Sequence, residues 1–505
     1  MGFNSFTFIL VFLPILLIGW FALNKLEKYT VAEGFLTLMS LYFYYTFGVS
    51  FLLILLFSIA VNYCLSFIIK KRPQTSKVIK IIGVIFNLLL LFYFKYLGFF
   101  IDNVNAISGA HLSAKEILMP IGISFFTFGQ ISFIVDRANN EAPHYPFLQY
   151  ALYTVYFPKL IQGPIAFHKE MIDQFKNKDL RRLHVDNFAG GLTSFIIGLA
   201  KKVILADTLS GAVNYGFQQT YYLDTVTVIA VMLAYTFQIY LDFSGYCDMA
   251  NGVSMMLGFK LPVNFNSPYK ASSAKELWQR WHMTLSRFFI KYVYIPLGGS
   301  RKGKVRTVVN VLIVFVLSGL WHGAGWTYIC WGLMQGLLVV WDDLGIMSVA
   351  PEKGKEQKAR YLFFEKPLLV IPRALGNVLT FLMFVISLVF FRSEDMAHAI
   401  GMFKRLFFWT YPGFLYRTAS KLEIAENYIP RQLFSQLGMN ADNTVYVVTL
   451  VIYIAISAYI MTRENTQEIV EKANYSKKMI LGLALLFVWS FISLSNVSTF
   501  IYFQF

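Results

Sequence analysis

Two histidines stand where plain anchoring in lipid does not require them. His282 closes the run from Trp278 to His282, and His322 closes the run from Gly319 to His322, just ahead of Gly323 and Gly325. A neutral imidazole takes and returns protons near physiological pH, so the pair suits general base work on a hydroxyl. The glycine-rich turn beside His322, or the second histidine, could supply N–H groups to a developing oxyanion. Asp242 and Asp248, with Ser244 and Gly245 between them, either orient an imidazole or cap the next helix. Cys64, Cys247 and Cys330 show neither metal-ligand spacing nor a disulfide framework, so no metal is expected.

The elements around the histidines derive from local pattern. Ser273 to Glu276 has the form of a capping box, in which the serine oxygen takes the N–H three residues on while Glu276 reaches back. Trp278, Trp281, His282, Leu285, Phe289 and Tyr292 recur at steps of three and four, whereas Lys275, Gln279, Arg280, Ser286, Arg287 and Lys291 fall mostly opposite. The spacing predicts one basic amphipathic helix lying along the membrane surface, with His282 turned inward. A cationic turn from Pro296 to Lys304 comes next, then an apolar run from Val308 to Leu317, and His322 sits where that run meets the following one.

Composition fixes the class. Of 505 residues, 57% are hydrophobic and only 14% charged, too few solvating groups for a soluble chain of this length. Apolar runs of about 18 to 22 residues recur, the length that crosses a hydrocarbon core of about 30 Å. The expectation is an all-α integral membrane protein, a helical bundle of about 11–12 spans with broken or re-entrant segments and surface-lying amphipathic helices around a central tunnel. The net charge of +16 is bunched in short loops: Lys70 to Lys80, Lys169 to Arg182, Lys353 to Lys366, and Arg463 to Lys478. That pattern is the positive-inside one, so these loops are placed in the cytoplasm and nucleic acid is set aside.

In chain order, spans are expected near Phe6 to Leu23, Val31 to Phe47, Phe51 to Ile69, Ile81 to Tyr96 and Ile117 to Val135, the last loosened by Pro120 and Gly122. Tyr150 to Phe167 carries Pro158, Lys159, Gly163 and Pro164 and reads as a broken segment lining a cavity; His168 and His184, among lysines, read as solvated loop residues. Further spans run from Phe188 to Ala206, Thr225 to Phe243, Thr307 to Leu320, Thr327 to Trp341, about Pro367 to Phe391, Val445 to Met461 and Met479 to Leu494. Gly332 and Gly336 would let helices approach closely. The region Arg392 to Asn440 mixes aromatics with Lys404, Arg405, Arg417 and Arg431, as short surface helices offering a docking patch would. The chain reads as one domain with an N-terminal set of spans (1–147), a core (148–345) and a C-terminal set (346–505).

Several of these runs, in one order, resemble the membrane-bound O-acyltransferase family: Tyr240 to Ala250, Pro262 to Tyr269, Trp278 to His282, Tyr294 to Gly303 and Gly319 to Gly323, with the ending Phe500 to Phe505. The likeness is greatest to the branch of alginate O-acetylase membrane components, with the teichoic-acid D-alanylation proteins as nearer cousins than sterol or phospholipid acyltransferases. It implies that His322 is the catalytic histidine and His282 a second active-site histidine. Trp278, Trp281, Trp321, Asp242, Asp248 and Asn266 would support them or line the tunnel. It further implies acetyl-CoA as donor substrate with no permanently bound cofactor, an exported acetyltransferase of the SGNH type as partner, and the bacterial inner membrane as location. Because coenzyme A carries phosphates, Arg280, Arg287, Lys291, Arg301 and Lys302 are candidates to receive it. Lys291 stands where relatives often have an acid, so no role of that acid carries over to this chain.

Two rival readings stay open on sequence: D-alanyl transfer to teichoic acid, and a transporter or flippase in which His322 lines a permeation path. The second lacks inverted repeats. Gly298 to Lys304 approaches a phosphate-binding loop by spacing, yet Val305 replaces the Ser or Thr such a loop needs, and neither HExxH nor GxSxG occurs.

Overall fold

The computed structural model describes residues 1–113, 117–351, 361–410, 412–422, 424, 427–438 and 442–496; of Asn496 and its neighbour 495 only the backbone is described. Lys353, Lys355, Lys358 and Arg360 of the third basic loop, Asn440 and the ending Phe500 to Phe505 lie outside these residues. Helices account for nearly all regular structure, and the one sheet among the described residues pairs the three-residue strands Met347–Val349 and Leu369–Ile371 in parallel. Among the described residues, eight helices are long and apolar enough to cross a membrane, including Phe8–Lys25, Val49–Lys71, Thr225–Met256 and Lys304–His322. The chain is an all-α integral membrane protein.

It divides into two compact units that interleave along the sequence. The first comprises Met1–Gly198, Tyr246–Val263 and Val470–Leu486; the second comprises Leu199–Gly245, Asn264–Ile469 and Phe487–Phe505.

The first unit is held by aromatic packing and by polar pairs that satisfy one another away from water. Phe3, Phe8, Phe43 and Phe157 form one cluster with ring centroids 5.0 to 6.2 Å apart. Asn62 and Asn87 exchange amide hydrogen bonds across two helices at 2.7 and 3.2 Å, which removes four polar atoms from the apolar phase at once. Pro120 and Gly122 do not sit inside a span: Gly122 takes a left-handed backbone (φ +76°) and the helix Ile123–Ala138 opens only after it. The segment around Pro158 is broken as expected, with helices Phe147–Val155 and Phe157–Leu160 separated at Tyr156. His184 is exposed, in keeping with a loop residue. His168 is not: it is buried, with Tyr145 Oη 2.9 Å from Nδ1 and Asp136 Oδ2 3.2 Å from Nε2. The lysines that flank it in sequence say nothing about the side of the helix His168–Lys176 on which the ring falls.

In the second unit the helices Lys304–His322 and Trp326–Leu344 pack glycine to backbone. A Cβ on Gly332 would fall 2.4 Å from the Phe315 carbonyl oxygen, one on Gly319 would fall 2.2 Å from that of Tyr328, and one on Gly336 would reach Phe315 Cβ at 3.0 Å. The close-approach reading of Gly332 and Gly336 therefore holds, and the seam fixes the height at which His322 ends its helix. Two of the short surface helices expected between Arg392 and Asn440 form as Met396–Arg405 and Tyr428–Gln436. Gly332→Ala is expected to force the two helices apart at a cost of about 1 to 3 kcal/mol, read as a lower thermal midpoint of the purified protein. Gly482→Ala, where no atom lies within 4 Å, should leave the midpoint unchanged.

Candidate active site

The second unit brings the two histidines together. The capping interaction at Ser273 forms, with its Oγ accepting from the Glu276 N–H at 3.2 Å. Glu276 reaches one residue further back than a capping box requires: its Oε2 accepts from the N–H and hydroxyl of Ser272 at 2.9 and 2.7 Å. Burial alone would raise this carboxyl, and the Ser272 donors with Arg373 and Arg280 bring it below its ordinary value.

No single amphipathic helix spans the aromatic stretch. Helix Ala274–Trp278 stops after one turn, the chain bends through Gln279 to Trp281, and a second helix opens at Met283 and runs to Phe289. His282 is the hinge, with a left-handed backbone (φ +44°, ψ +49°) that a non-glycine residue adopts only when its surroundings hold it. The periodicity of aromatic residues on either side is genuine, but it belongs to two short helices meeting at the histidine.

What holds the hinge is Asn264, a residue that the sequence pattern does not single out. The Asn264 carbonyl accepts the Met283 N–H at 2.9 Å, and its side-chain Oδ1 accepts from the Thr284 hydroxyl at 2.8 Å and the Thr284 N–H at 3.3 Å. An N–H can only donate, so these bonds settle which end of the amide faces the turn. His282 Nδ1 lies 3.0 Å from the same oxygen, which requires Nδ1 to carry the proton and leaves the lone pair of the neutral ring on Nε2. Burial holds this imidazole well below its ordinary value, so it is uncharged at neutral pH. A neutral His282 has thus given its one N–H to Asn264 and faces the site as a hydrogen-bond acceptor, which removes it as an oxyanion donor.

His322 is the last residue of its helix and is buried within aromatic rings. Trp321, Trp331 and Phe391 stand 4.9, 5.2 and 5.1 Å from it, centroid to centroid, and His282 stands at 6.3 Å. Phe243 packs on His282 at 4.9 Å and Trp321 at 5.7 Å, so a common cage encloses both rings. Gly323 leaves no room for a side chain, since a Cβ there would meet the Tyr328 ring at 2.1 Å. Trp281 backs the hinge from behind, against Phe265 and Phe384, both at 5.2 Å. Trp278 packs on Trp331 at 5.7 Å and donates its indole N–H to Gln335 Oε1 at 3.2 Å. Trp331, Phe391 and Phe243 carry no signal in a single sequence that separates them from ordinary packing residues; Asn264 stands two residues after Pro262 in an irregular stretch that no periodicity reads.

The remaining sequence candidates separate by location. Asp242 does not cap a helix, because Thr225–Met256 continues through it; its Oδ1 lies 2.6 Å from Lys202 Nζ, which also meets Asp207 at 2.6 Å. Asp248 lies within the same long helix, so it caps nothing either, and belongs to the first unit, where its carbonyl accepts from Ser194 Oγ at 2.8 Å. Asn266 is exposed and pairs with the Arg280 backbone. Arg280 is committed to Glu276 at 2.9 Å, Lys291 lies over the Tyr292 ring, Arg287 is half-buried, and Arg301 and Lys302 are exposed.

A family model for membrane-bound O-acyltransferases matches residues 134–360. The peptidoglycan O-acetyltransferase of Helicobacter pylori is 38% identical over 80% of this chain and 79% of its own length. A probable alginate O-acetylase of Pseudomonas aeruginosa is 37% identical over 81% of this chain and 75% of its own. The chain belongs to the membrane-bound O-acyltransferase family. It is an acyltransferase, and the resemblance read from its motifs holds. A teichoic acid D-alanyltransferase of Streptococcus thermophilus is also similar, at 27% identity over 45% of this chain and 58% of that protein.

Two outcomes test the geometry. Asn264→Ala should lower turnover about 10- to 100-fold by freeing the His282 ring, while Asn266→Ala, at an exposed position, should leave it unchanged; the rate of acyl transfer in membranes checks both. Because folding depresses the proton affinity of His282, the unfolded chain gains the proton first as pH falls. The contribution of this ring to stability is complete above about pH 6.5 and shrinks below it, by about 2 kcal/mol at pH 5. The drop in thermal midpoint between pH 7 and pH 5 should therefore be smaller in His282→Gln than in the unaltered protein.

Proposed function

We propose that this chain is an O-acetyltransferase of the bacterial cytoplasmic membrane, taking acetyl from cytosolic acetyl-CoA and passing it outward for O-acetylation of a cell-envelope or exported polysaccharide. The observation that carries the reading is the pair of buried imidazoles, one fixed as an uncharged acceptor by Asn264 and the other, His322, at the end of an apolar helix in the same aromatic cage. His322 is the base. It takes the proton of the acceptor hydroxyl as the oxygen attacks the thioester carbonyl; the carbon–sulfur bond breaks, and His322 returns the proton to the departing thiolate. His282 stays neutral and steadies the imidazolium that forms between those two events. Exposed Arg301 and Lys302 would attract coenzyme A phosphates, whereas Arg280 is held by Glu276, a carboxylate that it shares with Arg373.

The relatives favour acetyl over D-alanyl: those named for O-acetylation match about four fifths of the chain, and the one named for D-alanyl transfer under half. A peptidoglycan enzyme stands beside the alginate one among these relatives, so the acceptor class here is a polysaccharide in the wider sense. The final acceptor is reached through an exported acetyltransferase of the SGNH type. Substituting His322 by Ala should cut polymer O-acetylation by at least about 100-fold while the protein remains at its normal level in the membrane. Unchanged acetyl content in that strain would overturn the reading.

A further inference from the structure

The second unit holds a cavity of about 340 Å³ lined by Lys275, Gln335, Trp341, Asp342, Arg373 and Phe384, among others. Its charges are balanced. Lys275 Nζ pairs with Asp343 at 2.6 Å, its N–H donates to Asp342 at 2.7 Å, and Arg373 pairs with Glu276 at 2.9 Å. Walls of mixed leucine, methionine and aromatic residues with a charge-neutral rim suit an uncharged chain rather than a phosphate or a bare sugar.

Gln335 is the polar group in that wall that stands out. It is 1% exposed, and its Oε1 accepts the Trp278 indole N–H, which can only donate. That bond fixes the orientation of the amide and leaves Nε2 as the donor; among the described residues Nε2 has no acceptor. A buried donor left in this state costs about 1 to 3 kcal/mol unless something supplies an oxygen. Trp278 packs on Trp331, and Trp331 packs on His322, so Gln335 stands two rings from the catalytic histidine. Along the helix it is four residues past Trp331, about 6 Å at 1.5 Å per residue.

The donor of the reaction proposed above has an oxygen that can span this turn, from Gln335 to the level of Trp331, whose ring packs on His322. In an acyl thioester of coenzyme A, five bonds separate the thioester carbon from the carbonyl carbon of the nearest amide, about 6 Å when extended. We propose that the cavity takes the neutral amide-bearing arm of the acyl donor and that the Gln335 N–H binds the amide carbonyl nearest the sulfur, positioning the thioester beside His322. This rests on the acetyl-CoA reading. Gln335 is a positioning residue: it touches the arm and not the reacting atoms.

The test compares two small donors on the full-length protein in lipid nanodiscs, by thiol release. S-acetyl-N-acetylcysteamine carries the amide; S-pentyl thioacetate has similar length without it. The unaltered protein should favour the amide-bearing ester by about tenfold in kcat/KM. Because Gln335→Met also removes the acceptor of the Trp278 indole N–H, the ratio of the two esters is the readout: the variant should lose the about tenfold preference and bring their kcat/KM values together. A merely structural role would lower both esters by the same factor and keep the preference, and that result overturns the assignment. A ratio near one in the unaltered protein overturns it without any variant. If the unaltered protein releases thiol from acetyl-CoA but shows no preference, the Gln335 assignment alone falls; if it releases none from any thioester, the acetyl-CoA reading falls with it.

Discussion

The hydrogen bond from His282 Nδ1 to Asn264 Oδ1 is the interaction on which the site depends. A histidine buried away from water is costly if charged, and a ring held neutral has one donor and one acceptor to distribute. Asn264 takes the donor. The ring orientation, its tautomer and the left-handed backbone at residue 282 are then fixed together, because the same amide oxygen also accepts from Thr284 and the same residue's carbonyl accepts from Met283. Without that anchor the hinge loses the group that specifies which ring nitrogen carries the proton.

The position of the second histidine comes from a different source. His322 ends a helix whose register against its neighbour is set by glycine-to-carbonyl approach at Gly319 and Gly332. Such contacts are steep in distance, so the height of His322 is set by backbone and not by flexible side chains. The aromatic cage then excludes water from both rings, which strengthens every polar interaction made inside it.

Features set by local pattern are legible in the sequence: the apolar helices, the Ser273 cap, the Gly332 and Gly336 seam, the break near Pro158, and His322 at a helix end. Features made by tertiary pairing are not. The periodicity from Trp278 to Tyr292 predicts one helix, and a left-handed residue in the middle of it leaves no trace in that pattern. Asn264 and Asn266 are indistinguishable as residue types two positions apart in an irregular stretch, yet one is buried on the hinge and the other exposed. His168 reads as a loop residue because its sequence neighbours include lysine; its partners, Tyr145 and Asp136, are 23 and 32 residues away. Asp242 reads as a cap because an apolar run ends near it, whereas the helix continues and the acid meets Lys202 from another helix. Proximity in sequence to the histidines does not make Arg280 available, since Glu276 lies one helical turn away. The cavity in the second unit is charge-balanced at its rim and has an amide as its buried polar group, a character that neither composition nor spacing conveys.

Incubating the purified protein with acetyl-CoA labelled in the acetyl group tests the central claim most directly. The account predicts that free coenzyme A appears and that the label leaves it for a hydroxyl. Intact acetyl-CoA recovered in full, from protein that is folded and embedded in lipid, would contradict it.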